Sequence, residues 1–508
     1  MRQIPSAPTQ KTMNKFLLFV ALLMLATIVS LRAQTTEGGR KEYLTLQQCV
    51  DIAMGKNLTI KLAENQVAQA ELDLLQSKLN YLPSVNGSIG FNRTFGATFD
   101  QVTFSRIQAA TTISTPSLTA QLPLFAGLTR YYVLQQNKFA LEANKNALEN
   151  QKNTVIIAVI RTFLQVIFDQ TQVDIVNYRI KTLQGQLDRA NRLYNAGSGI
   201  LFDVLNIQSQ IAVENNNLIT AQNTLNTDRV TLFQLLQLNT EGTYEQQYEI
   251  QRFDTTGLTA RIVADAPPAL PEIEKNALEG FPSIKQQRFN IMSLRYTRKN
   301  LWGAYLPTVS LQGFLGSNFT TNAPTTLPDP STSTLVPFQL LDASGILNPV
   351  PLGFTLQPGR RPNRTDYFGQ LSDNFNYGFG INMVIPIFRG WSISRQARGA
   401  WINLNNAEIQ LEQNKNQLIS DVRRAVLDLN ASKARLQNIT SQQAAQDENF
   451  VNAEARFNGG LINFVQYLEV LNNRTSLQQQ KIQSVYEYVL RRKIVDFYNG
   501  KPLTFNEK

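Results

Sequence analysis

Histidine is absent from this 508-residue chain, and cysteine occurs once, at Cys49. The first absence removes imidazole acid–base chemistry, histidine-based triads and His-ligated metals. The second removes disulfide scaffolds and paired-cysteine zinc sites. Charge is also scarce, at 17% of residues, and the formal excess of +10 is scattered without a basic cluster, which argues against a nucleic-acid partner. Four of the cations, Arg2, Lys11, Lys15 and Arg32, lie at the start of the chain, so 10 − 4 = +6 remains beyond them. Proline is missing from two long stretches, Gly127 to Gly197 and Gly390 to Gly460, and nothing in either prevents a single continuous helix.

Those two stretches organise the chain. Each spans an interval of 70 residues, opens after a Pro-x-Phe-x-Gly sequence (Pro123 to Gly127, Pro386 to Gly390) and closes on an aromatic residue and glycine (Tyr194 to Gly197, Phe457 to Gly460). Leu134, Leu141, Leu148 and Val155 recur 263 residues later as Ala397, Leu404, Leu411 and Leu418. A sustained heptad seam predicts a supercoiled helix packed on other helices. At ~1.5 Å per residue, such a helix reaches ~100 Å. Past each glycine break a second helix is predicted. One runs from Phe202 to about Leu238 with Leu205, Ala212, Ile219 and Leu225 on its apolar side, and the other from Val465 to Tyr498 with Leu468, Leu471, Val485 and Ile494.

The segments before the long helices change period. Val85, Ile89 and Phe91 alternate with Ser84, Asn86, Ser88, Gly90 and Asn92, and Leu118 to Leu122 alternates in the same way. The second copy repeats both strands, from Tyr305-Leu306-Pro307 through Val309 and Leu311, and again from Phe379 to Ile385. Strands with one apolar face and one polar, glycine-bearing face fit a transmembrane β-barrel, where closure satisfies the backbone. Four strands are too few to close alone, and three chains supply twelve. Composition between Asn318 and Asn374, rich in Pro, Thr, Ser and Asp, predicts a long exposed loop.

The N-terminus reads as a secretory signal peptide over residues 1–33, with cations before the apolar run Phe16 to Leu31 and Ala33 at the cleavage point. Met13 offers a second start. Thr45 is placed to cap a helix running to about Tyr81, and Cys49 sits within that helix as a small buried side chain.

The duplication, the Tyr-Leu-Pro openings, the Pro-x-Phe-x-Gly exits and the aromatic-x-x-Gly tips followed by Asp203-Val204-Leu205 and Gln466-Tyr467-Leu468 together resemble the TolC-type outer-membrane efflux proteins. The resemblance covers nearly the whole chain beyond the signal peptide. It implies an α+β membrane protein, a trimeric 12-stranded outer-membrane β-barrel with four strands per chain, continuous with a long antiparallel α-helical coiled-coil tunnel in the periplasm. It further implies an exit duct for small molecules or polypeptides, working with a periplasmic adaptor and an inner-membrane efflux pump or secretion ATPase, with no cofactor and no catalysis.

On that resemblance Tyr194, Gly197, Asp203, Phe457 and Gly460 mark the periplasmic entrance and adaptor tips, and Pro123, Gly127, Pro386 and Gly390 the barrel-to-helix corners. The constriction falls at Gln466 and Glu469, where one ring is neutral and only Glu469 is acidic, a departure from the family's paired acidic rings. A trimeric surface fibre or adhesin is the competing class; it shares long heptads and a small barrel but not the duplicated unit. The expected segments are a first-copy helix at 34–82, a hairpin at 83–122, helices at 123–238, a non-repeating mixed connector at 239–282, a second-copy helix at 283–306, a second hairpin at 307–386, helices at 387–499 and a tail at 500–508.

Overall fold

The computed structural model describes residues 42–99, 106–108, 110–238, 248–251, 269–321, 326–341, 347–362 and 366–501. The segment read as a signal peptide, most of the 239–268 portion of the expected connector and the tail after 501 lie outside the described residues. In chain order the elements begin with β1 (Glu42–Leu44), α1 (Leu46–Lys56), α2 (Leu58–Leu79), β2 (Ser84–Thr94), β3 (Ala97–Phe99), β4 (Arg106–Gln108) and β5 (Thr111–Ala126). Then come α3 (Thr129–Asn195), α4 (Leu201–Leu236), β6 (Tyr248–Ile250), α5 (Leu270–Gly280), α6 (Pro282–Gly303), β7 (Thr308–Gly316) and β8 (Phe319–Thr320). The remainder is β9 (Thr326–Leu341), β10 (Leu347–Pro362), α7 (Tyr367–Asp373), β11 (Asn376–Val384), α8 (Ser392–Asn458) and α9 (Phe464–Tyr498). The chain divides into two units.

The first unit comprises the described parts of Met1–Asn65, Ala147–Ile284 and Asn414–Lys508. Its main core gathers Leu46, Cys49, Ile60, Phe163, Ile167, Leu232 and Phe233. The most apolar stretch of α3 contributes to this core, which accounts for its membrane-like hydropathy. Burial pushes the Cys49 thiol up to about 12, so it stays protonated and unreactive. α1 opens on a capping box in which Thr45 and Gln48 satisfy each other's backbone N–H groups.

The first predicted helix is in fact two, because Asn57 leaves the helical region at φ −62°, ψ 127°. Its side chain takes over the bonding there, donating to the Leu235 carbonyl at 3.0 Å and accepting from the backbone N–H of Thr59 at 3.0 Å. The same break recurs 224 residues later at Phe281, φ −68°, ψ 129°, between α5 and α6. The expectation of a non-repeating connector to 282 is therefore corrected: α5 is the second copy of α1. Cys49, Ala53 and Ile60 correspond to Ile273, Ala277 and Ile284, all buried. A second correction concerns α4, whose buried residues include Val204, Ile207, Leu225, Leu232 and Phe233, while Leu205, Ala212 and Ile219 are exposed. Periodicity places the apolar stripe about one residue off because both sides of this helix carry aliphatics.

In the same unit Asp169 is 4% exposed. Burial, followed by the neighbouring Asp228, raises its carboxyl to about 7, against a smaller opposing effect of Gln165, whose amide donates to it at 3.1 Å. The folded state thus holds a proton that the unfolded state releases between about pH 4 and pH 7. Stability from this site is present at the acid end and falls as pH rises through that window. Asp169→Asn should flatten the slope and relieve about 1–3 kcal/mol of buried-charge cost above pH 7. Thermal unfolding at pH 5 and pH 8 measures this, and an unchanged pH slope would contradict it.

The second unit comprises Gln66–Asn146 and Lys285–Gln413. Its sheet has the order β11-β7-β5-β2, antiparallel throughout, with β8 also paired to β5. Ser84 faces Gln121 in the first hairpin and Thr308 faces Val384 in the second. These are the same pair displaced by the two repeat offsets, 224 for the leading strands and 263 for the returning ones. Ile291, Leu404 and Ala407 form a small helical core, beside which the Phe139 and Tyr296 rings stack at 5.5 Å.

The corner from sheet to helix is set by backbone conformation. Gly127 and Leu128 have φ of 59° and 62°, and Gly390 and Trp391 have φ of 56° and 59°. Thr129 and Ser392 then cap these corners through their hydroxyls, donating to the carbonyls of Ala126 at 2.7 Å and Arg389 at 2.8 Å. Pro123 is not itself the bend: β5 passes through it at a register irregularity and ends at Ala126, a bulge being where a strand tolerates proline. A β-carbon added at Gly127 would overlap the carbonyl of Gly303, and one at Gly303 would overlap that of Gly127, so two backbones meet there without side chains.

The predicted loop within 318–374 is largely ordered into the β9–β10 ladder, which pairs from Thr326–Pro362 to Leu341–Leu347. Its composition reads as loop, yet the backbone is paired. At its base Gln370 grips Thr320 from both sides, accepting from the backbone N–H at 3.0 Å and donating to the carbonyl at 3.1 Å. Asn374 donates to the Asn318 carbonyl at 2.9 Å.

Candidate functional site at the helical tips

Both long helices end in the same hydrogen-bonded turn. In the first, Gly197 N–H donates to Tyr194 O and Ser198 N–H to Leu193 O; in the second, Gly460 N–H donates to Phe457 O and Leu461 N–H to Arg456 O. This pattern needs a left-handed residue, and Gly197 and Gly460 supply it with φ of 73° and 74°. The helices that follow start differently. α9 is capped by Asn463, with Gln466 completing a capping box, whereas the matching position before α4 is Ile200, which offers no cap. Asp203 compensates in the first turn of α4, where a carboxylate favours the positive helix end.

The two turns come together in the first unit. A cavity of about 380 Å³ lies between them, bordered by Arg189, Asp203, Phe457, Gly460, Asn463 and Gln466 among others. The Arg189 guanidinium spans it, donating to the side-chain oxygen and the backbone carbonyl of Asn458 and lying 5.6 Å from the Phe457 ring centre. Phe457 stacks on Tyr467 at 4.8 Å, and Tyr467 is wholly buried, with burial and the nearby Glu454 pushing its hydroxyl up to about 12. Leu183, Ile207, Phe450, Phe464 and Leu471 close this apolar knot.

Above the knot, Arg179 pairs with Glu214 at 2.7 Å, and Glu214, 1% exposed, also accepts from Gln210 at 3.0 Å and Asn217 at 3.2 Å. A buried carboxylate held by three donors is satisfied, and removal of the cation would leave it costly. Arg474 pairs with Asp447 at 2.7 Å over the Phe450 ring, 4.4 Å from its centre.

Of the residues singled out from sequence, Asp203, Phe457, Gly460 and Gln466 gather around this cavity; Tyr194, Gly197 and Glu469 do not line it. Gln466 spends its side-chain oxygen on the Asn463 N–H at 3.2 Å, and Glu469 is exposed one turn further along α9. Arg189, Arg179 and Glu214 escaped sequence reasoning, and Tyr467 entered it only as the middle of the Gln466-Tyr467-Leu468 motif, with no role given to it. Of the first three only Glu214, an acid before three asparagines, gave any signal. Among the described residues no cluster of three or more metal-binding side chains occurs.

A duplicated unit in which paired helices closed by a glycine turn alternate with antiparallel hairpins defines a class of envelope channel. The family model described as outer membrane efflux protein matches residues 50–237 and 274–493, and the chain belongs to that family. It is an outer-membrane channel protein with its helical part in the periplasm, and not an enzyme.

Solved structures share the fold. The Campylobacter jejuni CmeC outer membrane channel aligns at a TM-score of 0.70 with 15% identity, over 91% of this chain and 87% of that one. VceC of Vibrio cholerae aligns at 0.67 with 12% identity, over 90% and 97%. The open state of the Neisseria gonorrhoeae MtrE outer membrane channel aligns at 0.63 with 13% identity, over 90% and 89%. No curated protein sequence matches the chain.

Proposed function

We propose that three copies of this chain close a 12-stranded barrel in the outer membrane and form the exit duct of a tripartite system. The duct passively conducts small molecules or polypeptides delivered by an inner-membrane efflux pump or secretion ATPase through a periplasmic adaptor. The observation that carries this reading is the sheet β11-β7-β5-β2, whose two outer strands have no further partner among the described residues. A sheet with two bare edges and an apolar face facing lipid is unsatisfied until it closes.

The tips support the rest. The turns at Gly197 and Gly460, with Tyr194, Phe457 and Asp203, form the adaptor-facing end of the periplasmic entrance, and the buried knot on Tyr467 holds each pair of helices as one body. With Gln466 engaged in its cap, Glu469 is the acidic residue available to ring the constriction.

Purified protein should run as a detergent-stable trimer and give stable ion conductance in a planar bilayer, rising when Glu469→Gln removes the ring charge or the Arg189 bridge is cut. A trimer that never conducts, even in those variants, would leave the surface-fibre class as the better account. A soluble monomer would remove the barrel altogether.

A further inference from the structure

The helices of the second unit stand in one row. Asn137 of α3 donates to the Asp73 carbonyl of α2 at 3.1 Å, Ser293 of α6 to the Gln136 carbonyl of α3 at 3.1 Å, and Gln287 of α6 to the Ala407 carbonyl of α8 at 3.2 Å. The order α2-α3-α6-α8 repeats the strand order β2-β5-β7-β11. Between α6 and α8 opens a groove of about 620 Å³, bordered by Arg295, Arg298, Lys299, Trp302, Trp401 and Glu408 among others. It lies within one chain, so it is not the seam at which another copy would join the row.

The lining is unlike the rest of the helical surface. Trp302 and Trp401 are 61% and 52% exposed, and with Trp391 they are all the tryptophan in the chain. Arg295 pairs with Glu408 at 2.9 Å, whereas Arg298 and Lys299 pair with no carboxylate among the described residues. Lys299 instead lies over the Tyr296 ring, 5.1 Å from its centre. Three cations against one acid leave the groove at 3 − 1 = +2.

The duplication offers a comparison within the chain. At the offset of 224, Arg295, Arg298, Lys299 and Trp302 correspond to Glu71, Leu74, Leu75 and Lys78, and at 263 Trp401 corresponds to Lys138. The first copy forms the same pair of helices, α2 and α3, without these side chains. The scaffold therefore does not require them.

Their height in the unit is informative. The hydrogen bond between the Tyr305 and Ser394 hydroxyls at 2.9 Å, together with the Arg295–Glu408 pair, aligns α6 with α8 and sets Trp401 level with Arg298 to Trp302. At ~1.5 Å per residue, Arg298 and Lys299 stand ~6–8 Å from the end of α6 at Gly303. A lipid headgroup layer is ~5–8 Å deep.

Resting on the barrel reading above, which puts the sheet-to-helix corner at the periplasmic surface of the outer membrane, we propose that the groove between α6 and α8 holds the headgroup of an anionic phospholipid of the inner leaflet. Arg298 and Lys299 take the phosphate oxygens, as both residue types do elsewhere. Trp302 and Trp401 flank the glycerol and the first acyl carbons, the level at which tryptophan settles in a bilayer and to which long cationic side chains reach. Phosphatidylglycerol suits the site better than a zwitterionic lipid, whose own ammonium would meet Arg298 and Lys299 with like charge.

Tryptophan emission reads the groove directly. In a Trp391→Phe background only Trp302 and Trp401 contribute, and phospholipid with brominated acyl chains quenches them on contact. In proteoliposomes of the purified protein, brominated phosphatidylglycerol should occupy the site at least about threefold better than brominated phosphatidylcholine, because each cation near the membrane surface favours the anionic lipid. Arg298→Gln with Lys299→Gln should bring that ratio to about one, whereas Lys138→Gln with Lys145→Gln, neutralising two cations of the first copy, should leave it unchanged. Native electrophoresis and heat-modifiable mobility report assembly separately. An inserted trimer whose tryptophans are quenched by aqueous iodide and not by lipid, or whose ratio is about one in the parent or survives the Arg298 and Lys299 substitutions, overturns the lipid site and leaves the barrel reading standing. A soluble monomer overturns both.

Discussion

Gly127→Val should all but eliminate folded channel from the outer membrane, while Gly390→Val leaves a substantial fraction. The two glycines occupy equivalent corners with nearly the same φ, 59° and 56°, so both substitutions carry the strain of a β-branched residue in the left-handed region, about 1–3 kcal/mol. Only Gly127 has a neighbour to strike. Its new β-carbon would overlap the Gly303 carbonyl and crowd Leu306, whereas one at Gly390 meets nothing within 4 Å in its own chain. The combined cost at Gly127, about 3 kcal/mol or more, is of the size that only a few mechanisms reach. Immunoblots of outer-membrane fractions, with heat-modifiable mobility as the sign of folding, measure the difference. Equal losses in the two variants would show that the Gly127–Gly303 approach does not limit folding.

On the trimeric exit-duct reading proposed above, replacing Gly197 and Gly460 together by valine should abolish export and leave the trimer intact. At neither glycine would an added β-carbon meet another atom within 4 Å, so the effect comes through φ alone, 73° and 74°. The strain of about 1–3 kcal/mol at each turn acts on the bonds from Ser198 to Leu193 and from Leu461 to Arg456 that shape the tips. Asparagine tolerates the left-handed region better than other side chains, so the asparagine pair should retain most transport. Export assays in cells carrying the valine or asparagine pair, with trimer content checked in parallel, decide the matter. Normal export by the valine pair rejects a role for the turn conformation.

What could be read from sequence followed from chemistry that acts locally. Glycine at a helix end, threonine before α1 and seventy proline-free residues each constrain the backbone regardless of context, and together they placed the chain in its family. Features set by tertiary context were harder to see. The second copy of α1 shares little with the first beyond Leu46 and Leu270, and Ala53 and Ala277, and Pro271 near its start reads as a breaker although proline suits the first turn of a helix. The split at Asn57 leaves no sequence mark because asparagine is ordinary in a helix of this composition. Periodicity misplaces the stripe on α4 because Leu205 and Ile219, exposed in the single chain, are as apolar as the residues it buries. Around the tip cavity, glycine and aromatic spacing revealed the turns, while Arg189 and Tyr467 act through partners more than 200 residues away or on another helix.

The β9–β10 ladder bonds to itself and to no other strand among the described residues, and Gln370 and Asn374 fasten the chain at its base. Changes in its length therefore stop at that clasp and never reach the pairing of β11, β7, β5 and β2. Insertions, deletions and wholesale exchange between relatives can accumulate in this segment at little cost, which makes it a natural place for divergence and a practical one for grafting an epitope.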